Sequence, residues 1–435
     1  MSSAEVDNHA SDTLPDGPRL PRAVQTILFM RSRARFSPRW QARYGHTYTV
    51  RLAAGRTVVA VTRPEDIREV FAGSPSVFHA GEGNAILAPV MGHESVLILD
   101  EAAHLSARKR LMPAFNGAAL RGYGGMMEGL AAEAAQKWPV GKPFATHRTM
   151  NDVTLEIILR VVFGMAEGER LAKLRPLINK VTDIGPIAVL GWTFPKLGGL
   201  WPWKRNAENI TAVDALLYEE IAERRGRPDL ATRDDVLSRL LAADPDARAV
   251  ELRDHMMTLL LAGHETTATA LAWSLHELSR RPEVLRAAQR AADTGDDDYL
   301  QAVAKEAMRL RPIIYSVARR LTEPTVIAGH RLPRGTIVSP SIGLVQRNPD
   351  HFDDPDEFRP ERFLGTSPES GTWIPFGGGV RRCLGAGFSL QEAVVVLRAI
   401  LTRYDLEPVG PPEPPKSRNI TLIPSKGARV IARRR

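Results

Sequence analysis

A single cysteine, Cys383, lies in the run Phe376-Gly377-Gly378-Gly379-Val380-Arg381-Arg382-Cys383-Leu384-Gly385. With no second thiol an internal disulfide is impossible, so this sulfur is inert, a nucleophile or a metal ligand. The glycines ahead of it leave backbone with little bulk, able to take left-handed conformations and aim successive N–H groups at one sulfur. Apolar residues at Phe388, Leu390, Val394, Val395, Leu397 and Ile400 predict a helix from Leu384 to Ile400. A thiol at that helix N-terminus is expected to ionise readily, through the macrodipole and the free amides. A lone cysteine is ordinarily a small buried hydrophobe, but the glycines and arginines around this one argue for a ligand. A cysteine nucleophile would need a histidine base, and no local signature of a cysteine protease surrounds it. The glycines do not form a nucleotide loop either: Arg382 breaks the G-x-G-x-x-G spacing, and no Lys-Ser or Lys-Thr follows.

A second constellation is Ala262-Gly263-His264-Glu265-Thr266-Thr267, at the centre of a helix expected from Leu252 to Leu278. Such a helix is about 40 Å long, enough to cross a domain core. A carboxylate and two hydroxyls inside a mainly apolar helix are costly unless hydrogen-bonded. His264-Glu265 has the start of a zinc-protease helix, but the second histidine would fall at Ala268, so that reading fails. Farther on, Glu306 and Arg309 stand three apart, on one face of a helix, where they can pair.

Position for position, Phe376, Gly379, Arg381, Cys383 and Gly385 resemble the heme-binding loop of the cytochrome P-450 family, F-x-x-G-x-R-x-C-x-G. The resemblance, of the soluble bacterial type, extends over residues 40 to 430. It implies heme b with its iron held by the Cys383 thiolate, a ligand that favours O–O cleavage. The Gly263–Thr267 segment is similar to the family's A/G-G-x-D/E-T motif. This implies that Gly263 permits a local opening of the helix, that Thr266 hydrogen-bonds the activated dioxygen, and that Glu265 helps relay protons to it. Glu306 and Arg309 resemble the family's E-x-x-R pair, completed by Arg362 into a network that holds the cysteine loop. His104 and Arg108 resemble an H-x-x-x-R clamp on the heme propionates, with Arg381 and Arg319 at two further propionate positions, Arg320 being the neighbour that competes with Arg319. Lys109 and Arg110 are then candidates for docking a redox partner. Two local departures are Ser389, where alanine is commoner, and Ile313, in place of a second proline after Pro312; neither removes a group that the chemistry needs.

These residues have to be placed by a mainly α fold with a smaller β-rich lobe, the cytochrome P-450 fold. Residues 1–22 read as a disordered or extended leader broken by Pro15, Pro18 and Pro21, and 23–435 as one domain. The β-rich lobe is expected from about 47–62 and 313–341, the helical lobe from about 64–312 and 342–410. Thr47–Thr62 reads as a hairpin turning at Ala53-Ala54-Gly55-Arg56, after which Thr62 is expected to cap a short helix beginning Pro64-Glu65-Asp66. Asp293–Asp298 reads as a solvated loop. Gly185–Trp203, with Trp192, Phe194, Trp201 and Trp203, is implied by the resemblance to be a mobile lid.

The 435 residues are 43% hydrophobic and 25% charged, as in a soluble globular protein. No apolar run is long enough for a membrane span, Met1–Asp16 lacks the apolar core of a secretory signal, and the single cysteine suits a reducing, cytoplasmic setting. The net charge of +8 comes from arginines read as spread along the chain, which disfavours nucleic acid as a partner and leaves an acidic protein. The expected activity is insertion of one oxygen atom from O2 into an apolar small molecule, using electrons from a ferredoxin and its reductase. The pocket implied by the resemblance spans Asn84–Met91, Leu259–Thr267, Ile313–Ala318 and Ile420–Ile423. A peroxide-driven peroxygenase and a heme protein that binds ligands without catalysis are the alternatives, the second disfavoured by the presence of Thr266.

Overall fold

The computed structural model describes residues 13–164, 168–182, 201 and 203–435. The first part of the leader and most of the expected lid, residues 185–200 and 202, lie outside the described residues. The principal helices are α1 Arg22–Tyr44, α2 Pro64–Ala72, α3 Glu101–Leu111, α4 Gly117–Gln136, α5 Thr146–Phe163 and α6 Glu169–Thr182. They continue as α7 Trp203–Arg225, α8 Val236–Ala243, α9 Ala249–Ser279, α10 Pro282–Thr294, α11 Asp297–Leu310 and α12 Ala386–Leu401.

The β-rich lobe joins distant parts of the chain. Strands β1 (Thr47–Arg51) and β2 (Thr57–Val61) form the hairpin, its reversal absorbed by positive φ at Ala54 and Gly55. β2 also pairs in parallel with a strand near residue 338, giving one five-stranded sheet from residues 47–61, 78–79, 319–321 and 337–340. Val58-Val59-Ala60-Val61 is buried throughout, the continuous apolar run of a strand covered on both faces. Residues Pro15–Pro18 are extended and packed on this sheet: Thr49 Oγ1 donates to Pro15 O at 2.6 Å, and the Thr49 amide to Asp16 O at 3.0 Å.

Two local expectations are corrected. Thr62 does not cap α2; its hydroxyl donates to His46 O at 3.0 Å, and the N-cap residue is Arg63. Asp293–Asp298 is not a free loop, because α10 runs to Thr294, Gly295 closes it with φ 75°, and Asp296 caps α11 by accepting from the Tyr299 amide at 3.1 Å. The 342–410 stretch is also less helical than expected. Beyond a four-residue turn of helix and short 3-10 segments it holds only α12, and residues 404–434 add strands that close a three-stranded and a two-stranded sheet.

The long helix α9 runs through the main core, four residues longer than the expected span. From Glu251 to Ser279 every residue is buried except Ala262, Gly263 and Thr266. Spacings of one and four put those three on one face, so beyond its first turn the helix is sealed everywhere but at its centre. Gly263 lies in unbroken helix rather than at an opening. A methyl group there would sit 2.9 Å from Ile158 Cγ1 and Cδ1 on α5, so close helix packing is what demands glycine. Gly263→Ala therefore gains about 1 kcal/mol of helix propensity and loses about 1–3 kcal/mol to overpacking. Thermal unfolding is expected to show a lower Tm for this variant, and a smaller loss when the same change is made in an Ile158→Val background, which removes the Cδ1 that the new methyl would meet; an unchanged Tm would show that the contact yields freely.

Candidate functional site

The cysteine loop is shaped by left-handed backbone, at one position so close to a neighbouring helix that only glycine fits. Gly377 and Gly379 have φ of 65° and 63°, and a Cβ on Gly379 would fall 2.0 Å from the carbonyl oxygen of Phe71 on α2. The Cys383 amide donates to Phe376 O at 2.9 Å, folding the loop back on itself. Phe376 packs beside Ala270, Met308 and Ile313, tying the loop to α9 and α11. Helix α12 begins at Ala386, three residues beyond the cysteine. The thiol is surrounded by protein yet keeps accessible surface.

The expected fall in thiol pKa is not what the geometry gives. Burial pushes Cys383 above its usual value, and the Gly385 amide, Arg108 and Arg382 only partly oppose it. Desolvation outweighs one amide and two guanidiniums, so a free thiolate is disfavoured until a cation binds the sulfur.

Around the loop stands a cluster of bases. Arg381 donates to Val96 O at 3.2 Å and Leu99 O at 2.5 Å and is paired with Asp100. His104 is buried, and burial together with Arg381 and Arg108 pushes its pKa down to about 4. Burial and then Arg381 lower Arg319 to about 10; its guanidinium lies over the Phe71 ring at 5.6 Å and donates to Ala318 O. The neighbouring Arg320 is turned to the surface, against Glu82 at 3.3 Å. The structure thus brings His104, Arg108, Arg319 and Arg381 together and leaves Arg320 out. Arg319 and Arg381 share the carboxylate of Asp100 while Arg108 adds a third guanidinium beside Arg381, a cluster that an additional anion would stabilise.

The helix centre faces this loop through α12: Thr267 Oγ1 is 3.1 Å from Ser389 Oγ. Thr266 Oγ1 donates to Ala262 O at 2.7 Å, and Thr154 of α5 donates to His264 O at 3.0 Å. Glu265 points away from the accessible face, with Oε1 3.6 Å from Arg418 Nε and 3.3 Å from Thr421 Oγ1. His264 is buried, its Nδ1 2.5 Å from Leu260 O and its pKa lowered to about 4 by burial.

Glu306 and Arg309 are both 0% exposed. Arg309 Nε and Nη2 reach the two Glu306 oxygens at 2.6 and 2.8 Å. Nη1 donates to Gln346 O and Pro355 O, and Nη2 also to Glu357 O. All five N–H groups are used. Arg362 Nε lies 3.5 Å from Glu306 Oε1, which also accepts the Arg359 amide at 2.8 Å. Lys109 is exposed, whereas Arg110 is paired with Glu251.

One residue was missed. Glu392 on α12 is buried, neither oxygen makes a well-formed hydrogen bond among the described residues, and burial raises its pKa well above normal, only partly opposed by the Thr267 hydroxyl. Its signal was present in the sequence: a lone carboxylate inside the apolar run Ala386–Leu401.

The donor set fits a planar macrocycle carrying a thiolate-seeking metal and peripheral carboxylates. An accessible sulfur, a cationic cluster short of anions, and a helix opened only at two small residues and an alcohol meet those requirements. A family model described as cytochrome P450 matches residues 15–432. A relative from Mycobacterium tuberculosis with the provisional name cytochrome P450 135A1 is 47% identical, over 97% of this chain and 96% of its own length. Cytochrome P450 135B1 of Mycobacterium bovis, also a provisional name, is 44% identical over 97% and 91%. In structure the chain is similar to a retinoic acid-bound cyanobacterial CYP120A1, with TM-score 0.84 and 23% identity over 97% of this chain and 100% of that one. The heme domain of cytochrome P450DA gives TM-score 0.82 and 24% identity, over 97% and 98%.

Arg309→Lys keeps the charge but replaces five fixed donors with three, leaving buried carbonyls and part of Glu306 unmatched. The expected cost is about 3–5 kcal/mol. Urea unfolding and heme content measured together test this, and a fully loaded variant of parental stability would contradict the scaffold role.

Proposed function

Because the chain belongs to the cytochrome P450 family of heme-thiolate monooxygenases, which bind heme b, we propose that it inserts one atom of O2 into an apolar organic substrate, with electrons from a separate ferredoxin and its reductase. The observation that carries this reading is the combination of an accessible thiol with an accessible stretch at the centre of an otherwise buried helix, one that includes an alcohol. When bound, heme supplies an iron centre that activates dioxygen with two electrons; overall, R–H, O2, two electrons and two protons give R–OH and water.

The chain's own residues do the rest. Cys383 would hold the heme iron through its sulfur, and the Gly385 amide, which hydrogen-bonds that sulfur, would steady the charge on it. Arg319, Arg381, Arg108 and His104 would receive the heme carboxylates, anions that would offset the mutual repulsion of the guanidiniums. Thr266 holds its hydroxyl at the accessible face of α9. Glu265 can pass a proton only after its carboxylate leaves Arg418 and Thr421, so its resting task is to hold the 415–424 hairpin against the helix. The apolar walls Leu259–Thr267 and Ile313–Ala318 suit a hydrocarbon-rich substrate. Exposed Lys109 and Arg382 suit an acidic electron carrier approaching the cysteine side.

The deciding experiment is the absorption spectrum of the reduced, carbon monoxide-treated protein beside that of Cys383→Ala. A strongly red-shifted Soret band that the substitution abolishes is expected; a band unaffected by it would overturn the ligand assignment. Turnover supported by hydrogen peroxide but by no ferredoxin would refute the proposed electron source. Thr266→Ala is expected to lower product formed per electron consumed by about tenfold or more, the scale of losing one positioned proton-transfer group, with heme content unchanged.

A further inference from the structure

The chain's positive charge is concentrated at one end. Between residues 17 and 64 there are ten arginines and no lysine, aspartate or glutamate. The whole chain carries a net +8, so this segment alone contributes +10 and the remainder is acidic by two. The segment forms α1, the β1–β2 hairpin and the chain leading into each. Among the described residues none of the ten is in an ion pair, whereas Arg68, the next arginine, already pairs with Glu369. Arg22 and Arg33 donate to backbone carbonyls instead, Arg22 to Leu52 O and Arg33 to Ile420 O.

Apolar side chains are exposed in the same place. Leu20, Val24 and Ile27 are 44, 40 and 56% exposed, the last two three apart on the first turns of α1. The 415–424 hairpin, tethered to α1 by Arg33, adds exposed Ile420 and Lys416 and again no carboxylate. Nucleic acid would match the arginines but has no use for exposed aliphatic groups. A polyanionic surface with an apolar interior beneath it matches both, the arginines meeting phosphates and the aliphatic tips entering the acyl boundary.

We propose that α1 and its flanking hairpins are a docking surface for an anionic phospholipid bilayer, on which the protein sits peripherally. No helix among the described residues is long and apolar enough to cross a membrane, so the attachment is reversible and salt-sensitive. The proposal stands on charge and exposure and does not depend on the oxidation chemistry.

The test is co-sedimentation of the heme-loaded protein with vesicles of equal parts phosphatidylglycerol and phosphatidylcholine, and with vesicles of phosphatidylcholine alone, at low and high salt. Binding is expected only to the anionic vesicles and only at low salt. R31E/R35E/R39E is expected to weaken it at least about a hundredfold, from about fivefold per arginine held at such a surface. V24S/I27S is expected to weaken it without changing the salt dependence, and the reduced carbon monoxide spectrum confirms that each variant is intact. Should a variant fail to fold, the lipid and salt comparison on the unaltered protein still decides. Equal binding to both vesicle types, none to either, or retention that V24S/I27S leaves intact while duplex DNA competes equally, would each overturn the proposal.

Discussion

The Arg309 guanidinium is the point on which the cysteine side of the molecule depends. Between Leu310 and α12 the chain passes through some seventy-five residues with only short strands and turns, so repetitive backbone hydrogen bonding cannot fix the position of Cys383. One buried cation does much of that work, binding the carbonyls of residues 346, 355 and 357 to a helix whose Glu306 neutralises it. A buried ion pair gains little over apolar packing on energy alone. Here the same guanidinium gathers three loop carbonyls, one buried and two partly buried, a task no apolar side chain can perform.

From that anchored loop the rest of the site follows by opposing charges. Burial alone would keep the Cys383 sulfur protonated and drives His104 toward neutrality, while Arg319 and Arg381 repel each other across a single aspartate. Each is unfavourable in isolation. Together they describe a pocket that is thermodynamically incomplete as protein, relieved by a ligand with a cation for the sulfur and carboxylates for the arginines. Heme b has both.

Wherever chemistry restricts residue type, the sequence was readable. The cysteine loop, the E-x-x-R pair and the helix centre depend on side chains that nothing else replaces, and the expected helix over 252–278 differs from α9 only at its ends. What escaped notice depended on partners distant in the chain. The 404–434 strands pair with each other and with residues 143–145, so no local alternation announced them. Thr62 looked like a cap until His46 claimed its hydroxyl. The need for glycine at position 263 comes from Ile158 on another helix, not from any bend of its own. Counting cations alone leaves the arginines spread along the chain; the signal lies in the missing carboxylates between residues 17 and 64.

The helix centre shows why the placement of one proton matters. A threonine hydroxyl has a single hydrogen, and in Thr266 it is given to the Ala262 carbonyl at 2.7 Å. The oxygen therefore presents lone pairs, not a proton, to the accessible face. In this state it accepts a hydrogen bond from a ligand O–H and orients it; to donate, it must first release the carbonyl, at a net cost of about 1 kcal/mol. Thr267, one residue on, is occupied by Ser389 at 3.1 Å and is buried, so it cannot substitute. Behind it Glu392 is held neutral by burial and Glu265 is held by Arg418, which leaves Thr266 as the one hydroxyl at the helix centre that is both exposed to the cleft and able to switch between accepting and donating.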